Sequence, residues 1–205
     1  MLKLPKIYPL TNTEISGLTH SEQCLRLIEG GAEFIQIREK NLASDEFYEA
    51  AKECVEIAKA ANVRIIINDR VDISIAVEAD GVHLGQNDLP PFEARKLLGE
   101  KKIIGFSTHN REQVIEAMKM PVDYIAIGPV FATSTKENPD EIVGIEGVLE
   151  TREIIGEIPL VAIGGISAGN LKEVFKAGAD SAAMVSEILK TKDITSRYKE
   201  IISEI

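Results

Sequence analysis

Short apolar, β-branched runs alternate along this chain with longer segments in which apolar residues recur every three or four positions, and the beat continues from end to end. Alternation of that kind is the pattern of repeated βα units around a parallel sheet. It predicts strands at Ile7–Thr11, Phe34–Arg38, Arg64–Asn68, Gly81–Leu84, Ile103–Ser107, Tyr124–Gly128, Leu160–Gly164 and Ser181–Val185, with apolar-striped helices after most of them. Eight strands with no segment left over favour a closed barrel over an open sheet. The expectation is therefore one α/β domain, residues 1–205, folded as a (β/α)8 TIM barrel.

Related phrases stand before several strands: Glu29-Gly30-Gly31-Ala32-Glu33, Val77-Glu78-Ala79-Asp80-Gly81 and Lys176-Ala177-Gly178-Ala179-Asp180. Each reads as a helix stop followed by entry into the next strand, a mark of repeated architecture rather than of chemistry. Two connections are longer than the rest, Thr11 to His20 and Ala132 to Gly144, and long loops in a compact domain are more often working parts than spacers. In a barrel of this kind the working residues sit where the strands end and the βα loops converge.

Composition narrows the field. At 205 residues and 44% hydrophobic content the chain is long enough for a full core. With 23 Lys plus Arg against 33 Asp plus Glu the formal net charge is −10, so no basic field exists to attract nucleic acid, and an anionic substrate must be held by local cations or backbone amides. Cys24 and Cys54 lie in helical stretches without metal-ligand spacing, which leaves a disulfide framework or a zinc site little support. No apolar run approaches the roughly 18 residues a spanning helix needs, and the first residues do not read as a signal peptide. The expectation is a cytoplasmic protein without nucleic-acid or membrane partners, a monomer or small homo-oligomer.

Sorted by strand ends, the chain offers several constellations. Gln36, Arg38 and Lys40 alternate onto one face while the second strand lasts, with Arg38 and Glu39 as plain solvated charges the competing reading. Asp69 and Asp88 each follow a short apolar run, and the spacing leaves open whether they cap helices or hold one hard cation. Carboxylate and amide oxygens at such a place suit Mg²⁺, completed by substrate phosphate. Asp72 fits a helix start and Asp80 a turn. His83 lacks a second ligand at useful spacing and reads as packing or substrate hydrogen bonding. Ser107, Thr108 and His109 close the fifth strand without a nucleophile elbow, and His109 fits a helix N-terminus near Asn110 as well as a substrate contact. Thr133, Ser134, Thr135 and Lys136 could bind phosphate oxygens on a covering loop. Gly164 and Gly165, then Val185 and Ser186, stand after strands seven and eight, where this fold often holds phosphate.

In order, QIREK (36–40), INDRVDI (67–73), DGVHLGQND (80–88), GFSTH (105–109), GPVFATSTK (128–136), AIGGI (162–166) and the VS at 185–186 resemble the thiamine-phosphate synthase family over nearly the whole chain. The resemblance implies coupling of a pyrimidine methyl diphosphate to a thiazole phosphate or its carboxylate, with release of diphosphate. It implies a dissociative route in which diphosphate departs, an aminopyrimidine-stabilised carbocation forms and the thiazole nitrogen attacks, so no protein nucleophile is required.

By matching motif, Asp69 and Asp88 are expected to bind Mg²⁺. Gln36, Arg38, Lys40, Asn68, Ser107 and Lys136 are expected to hold the pyrimidine diphosphate, with Arg38, Lys40, Ser107 and Lys136 the catalytic set. Thr133, Thr135, Gly165, Val185 and Ser186 are expected to meet the thiazole phosphate, and Ser134 is expected to bind substrate. His83 and Gln86, and with them Tyr8 on the first strand, would line the pyrimidine. The loop from Ala132 to Gly144 is expected to close over the site. Glu187 departs from the family's usual small residue and would repel phosphate unless turned outward. A thiazole tautomerase with His109 as acid/base, and a non-catalytic sensor of thiamine precursors, are the rival implications. Lys40, Asp88 and the 133–136 run have no purpose in an isomerase.

Overall fold

The computed structural model describes residues 2–133 and 140–205, and all eight expected strands form. They are β1 (Ile7–Pro9), β2 (Phe34–Ile37), β3 (Arg64–Asn68), β4 (Gly81–Leu84), β5 (Ile103–Thr108), β6 (Tyr124–Ile127), β7 (Leu160–Ile163) and β8 (Ser181–Met184). Every pairing is parallel, in the order β1-β8-β7-β6-β5-β4-β3-β2. A bridge between Leu10 and Gln36, with Thr11 N donating to Gln36 O at 2.9 Å, brings the two edges together into a nearly closed barrel. The helices are α1 (Thr13–Ser16), α2 (His20–Glu29), α3 (Ser44–Ala61), α4 (Val71–Ala76), α5 (Pro91–Leu98), α6 (Arg111–Ala117), α7 (Gly144–Ile155), α8 (Leu171–Lys176), α9 (Ser186–Leu189) and α10 (Ile194–Ser203). None among the described residues is long and apolar enough to cross a membrane.

The strands are apolar on both faces because both faces are covered. Ile35, Ile65, Val82, Ile104, Ile125 and Leu160 pack outward against the helices, while Tyr8, Phe34, Ile66, Tyr124, Val161 and Ala183 fill the interior. Full burial of one such aliphatic side chain contributes about 1.5–3 kcal/mol, so the larger outer layer carries most of the stability. The inward set becomes polar towards the strand ends. Gln36, Asn68 and His83 are buried at the top of the same interior.

The stretch from Thr11 to His20, expected as an open loop, contains the single turn α1. Asn12 Oδ1 accepts from Ile15 N at 2.8 Å, and Gly17 ends the turn at φ 69°. One capped turn is too short to show apolar periodicity, which is why the pattern missed it. Thr19 and Glu22 then form a capping box that starts α2.

Carboxylates just before three strands, two of them within the repeated phrases, have a physical use. Asp80 accepts from Ile65 N, Asp123 from Ile104 N and Asp180 from Leu160 N, each at 2.8 Å, so a carboxylate at the start of one strand ties down the start of its neighbour. Two of these are reinforced from the helices. Arg95 pairs with Asp123 at 2.7 Å and donates to the carbonyls of Gly99, Lys102 and Pro121. Arg152 pairs with Asp180 and donates to the carbonyls of Gly156, Ile158 and Gly178. These clamps lie at the N-terminal ends of the strands, away from the mouth. Replacing Arg95 with Ala removes several charge-assisted bonds from a mostly buried guanidinium and is expected to destabilise the fold by about 2–3 kcal/mol, read as a lower urea midpoint. An unchanged midpoint would refute the clamp.

Candidate active site

At the C-terminal mouth of the barrel lies a cavity of about 590 Å³. It gathers residues from many of the strand ends singled out by sequence: Tyr8, Gln36, Arg38, Lys40, Asn68, Asp69, His83, Gln86, Asp88, Ser107, His109, Thr133, Gly165, Val185 and Ser186. Ser134, Thr135 and Lys136, with the covering role expected of their loop, fall outside the described residues.

The two aspartates do not cap helices. The residue capping α4 is Arg70 and that capping α5 is Pro90, neither through a side chain. Asp69 stands instead in left-handed backbone at φ 61°, a conformation Asp tolerates better than most residues, and its carboxylate pairs with Lys40 Nζ. Asp88 Oδ2 accepts from Gly85 N at 2.7 Å and so closes the 85–88 turn. Partial burial and the adjacent Asp69 carboxylate hold the Asp88 carboxyl above its usual range, despite the bond from Gly85 and the charge of Lys40. Two carboxylates placed side by side at a strand-end rim fit a divalent cation. Among the described residues no third His, Cys, Asp or Glu joins them. Asp72 starts α4 and forms a forked pair with Arg70 at 2.9 and 2.6 Å, as a helix-start residue.

Glu39 is not a solvated charge. Its side chain is 7% exposed, and it pairs with buried His20 at 3.0 Å, whose other ring nitrogen meets Thr11 Oγ1 at 2.8 Å. The other carboxylate oxygen accepts from the backbone N–H groups of Lys40, Asn41 and Leu42. Burial opposes ionisation of Glu39, but the bonds from Asn41, His20, Lys40 and Leu42 outweigh it and hold the carboxyl below its usual range. The loop bearing Arg38 and Lys40 is thereby folded around an internal anion. The Arg38 guanidinium has no carboxylate partner among the described residues and faces the cavity.

The other candidates resolve individually. Ser107 faces the cavity whereas Thr108 turns outward, its hydroxyl donating to Ala126 O at 2.8 Å. Asn110 Oδ1 caps α6, as its position predicted, while His109 lines the cavity with Nδ1 2.6 Å from Gly128 O and 3.5 Å from Asp140 Oδ2. His109 therefore stands just before the helix start and also on the cavity wall. Gly164 and Gly165 have positive φ, and a Cβ on them would sit 2.6 Å from Pro129 Cα and 2.7 Å from Phe131 Cβ. The close approach they permit is thus to the neighbouring loop as well as to the cavity. Glu187 is paired with Arg197 of α10 and accepts from Ala168 N at 3.3 Å, so it is neutralised away from Ser186. Among the described residues three buried polar atoms have no partner, Gln36 Oε1, Asn68 Nδ2 and Ser181 Oγ, and the first two belong to residues that line the cavity. Unpaired buried groups of this kind are expected where a ligand supplies the missing bonds.

Cations, carboxylates and unsatisfied amides converging on a barrel mouth define an enzyme of the TIM-barrel class that handles phosphorylated substrates. Residues 7–188 match the family described as thiamine monophosphate synthase. The chain is 44% identical over 197 residues to a thiamine-phosphate synthase of Clostridium novyi, covering 96% of each chain, and 42% identical to one from Syntrophomonas wolfei over 95% of this chain and 93% of that one. A solved thiamine phosphate pyrophosphorylase from Pyrococcus furiosus superposes with a TM-score of 0.87 at 34% identity, covering 97% of this chain and 94% of that one. A 3-hexulose-6-phosphate synthase at 17% identity and a TM-score of 0.67 shares the fold alone. The chain belongs to the thiamine monophosphate synthase family, and its activity is the transferase reaction of thiamine biosynthesis that makes thiamine phosphate.

Sequence reading missed Tyr124, Glu39 with His20, and Asp140 as parts of this site. Only Tyr124 left a signal: a large polar aromatic in a predicted core strand, with a glycine at the centre of the strand before it.

His83 is buried, and desolvation holds its pKa down to about 4 from 6.5, outweighing the attraction of Asp88. The unfolded chain therefore binds a proton between those values that the folded chain refuses. Stability from the neutral ring is complete above pH 6.5 and is lost as pH falls towards 4. The loss is on the order of 3 kcal/mol. Urea unfolding across that range should fall more steeply for the parent than for His83→Gln, and parallel curves would refute the assignment.

Proposed function

We propose that Arg38, Lys40 and the Asp69–Asp88 pair bind the diphosphate of a pyrimidine methyl diphosphate, and that Gln36, Asn68, His83, Gln86 and Ser107 hold its ring and departing group. Thr133, Gly165, Val185 and Ser186 receive the thiazole phosphate on the opposite wall. The observation that carries this reading is the rim itself, where Lys40 is bonded to Asp69 and Asp88 lies against the same carboxylate. Ser134, Thr135 and Lys136 belong to the proposal by motif alone. All these residues come from one copy of the chain, and we treat residues 1–205 as one catalytic domain.

The chemistry asked of these side chains is charge stabilisation and alignment. Arg38 and Lys40 offset the negative charge that grows on the diphosphate as its bond to the pyrimidine methylene breaks. Bound between Asp69 and Asp88, Mg²⁺ would supply further neutralisation of that leaving group. The buried amides of Gln36 and Asn68 fix the ring so that the methylene faces the thiazole nitrogen. Neither cysteine can capture a cation formed there, because Cys24 and Cys54 are both buried in the helical layer. Two free cysteines accord with a reducing, cytoplasmic setting. A tautomerase would use His109 but would leave the Lys40–Asp69–Asp88 cluster without work.

Purified protein given both substrates and Mg²⁺ should yield thiamine phosphate and diphosphate in equal amounts, and a chelator should abolish both. Conversion of one thiazole tautomer to another without coupling would sink the reading. By calorimetry, Asp69→Ala and Asp88→Ala should each weaken binding of the pyrimidine diphosphate with Mg²⁺ by on the order of 10- to 100-fold, the worth of a charge-assisted contact. Thiazole phosphate binding should stay within about twofold. Equal losses for both ligands would indicate a general structural defect and remove the metal assignment.

A further inference from the structure

Five side chains from five strands form one unbroken hydrogen-bonded chain across the barrel. Gln36 Nε2 donates to Tyr8 Oη at 2.9 Å, Tyr8 Oη lies 3.1 Å from Tyr124 Oη, Tyr124 Oη lies 2.9 Å from His83 Nδ1, and His83 Nε2 lies 2.8 Å from Ser107 Oγ. The three middle members are buried. The chain has a direction, because the amide nitrogen of Gln36 can only donate. The Tyr8 proton must then go to Tyr124, and the Tyr124 proton to His83 Nδ1. His83 consequently carries its single proton on Nε2 and donates it to Ser107, whose own hydrogen is left for the cavity. At the opposite end Gln36 Oε1 is left as a buried acceptor without a partner.

Gly105 shows that room has been made for this arrangement. In the sheet register it pairs with His83 on one side and Tyr124 on the other. A methyl group there would overlap the ring and hydroxyl of Tyr124, which instead lies across the gap and stacks on His83 with centroids 5.5 Å apart. Packing alone would be met by a phenylalanine. The hydroxyl is what the chain requires.

We propose that Tyr124, with Tyr8, is a positioning residue of the transfer reaction: it locks His83 as the Nε2–H tautomer, so that Ser107 is presented to the substrate as a donor and the Gln36 carbonyl as an acceptor. The inference rests on the reading that Gln36 and Ser107 face the pyrimidine diphosphate. The polarity so set selects a substrate with a donor group at Gln36 and an acceptor oxygen at Ser107. A substrate of reversed polarity would leave both ends unpaired.

The chain has three histidines, so ¹⁵N-histidine labelling, with His83→Gln to assign the resonance, reads the tautomer directly. The parent protein at neutral pH should show His83 protonated at Nε2, and a Nδ1–H form would overturn the proposal without any variant. Tyr124→Phe should shift His83 to a tautomer mixture and lower kcat about tenfold, the worth of one hydrogen bond, with KM for the thiazole phosphate unchanged. If Ser107→Ala already removes that contact, adding Tyr124→Phe should cost little more. Additive losses, or an unaltered kcat in Tyr124→Phe, would overturn it. Should Tyr124→Phe fail to fold, Tyr8→Phe breaks the same chain one bond earlier. If Ser107→Ala and Gln36→Ala leave pyrimidine diphosphate binding and kcat intact, the site reading itself fails; if they are impaired while Tyr124→Phe is not, the relay alone fails.

Discussion

A nearly closed parallel barrel places every second side chain of its strands in one small interior, and that interior admits polar groups only if they pair with one another or with a ligand. The lower interior meets this with Phe34, Ile66 and Val161. Towards the mouth the same inward positions carry Gln36, Asn68, His83 and Ser107, and the structure changes from packing to hydrogen-bonded order without any change of backbone pattern. Tyr8 and Tyr124 mark the boundary, with rings in the apolar layer and hydroxyls in the polar one. Two of the three atoms left unpaired among the described residues, Gln36 Oε1 and Asn68 Nδ2, belong to residues of the cavity wall.

A second constraint is charge. A protein of net charge −10 that binds two phosphorylated substrates has to concentrate its cations locally. Arg38 and Lys40 meet this need, but long side chains on a loop pay entropy to be held in one place. Glu39 reduces that cost: an anion facing inward, fastened to His20 and to three successive backbone N–H groups, turns the residues on either side towards the cavity. The negative charge between two cations is therefore part of the device that organises them.

Sequence pattern was enough for the strands, since apolar runs flanked by helix stops survive any tertiary context, and for most of the rim, since strand ends in this fold have a fixed address. It was not enough for direction and partner. Glu39 read as a surface charge because nothing local to it reveals His20, nineteen residues earlier, on the neighbouring helix. Asp69 and Asp88 stayed balanced between cap and ligand until the helix starts were placed at Arg70 and Pro90. Glu187 looked misplaced beside a phosphate pocket because Arg197, its partner, arrives from the last helix. Each of these turned on a contact between separate elements, which periodicity does not encode.

The left-handed backbone of Asp69 ties these threads together. Its N–H bonds to His83 O at 2.8 Å, continuing the β3–β4 ladder one residue beyond the strand, and Arg70 N then turns back to Asn68 O at 2.7 Å. A reversal that abrupt needs positive φ, and Asp supplies it at less cost than most side chains while presenting a carboxylate at the turn. The backbone bond to His83 O thus sets Asp69 at a fixed distance from the strand that carries His83 and leads on to Asp88. The carboxylate pair and the tautomer-locked histidine are held in common register by one hydrogen bond, so the cation end and the ring end of the cavity cannot drift apart without breaking the sheet between them.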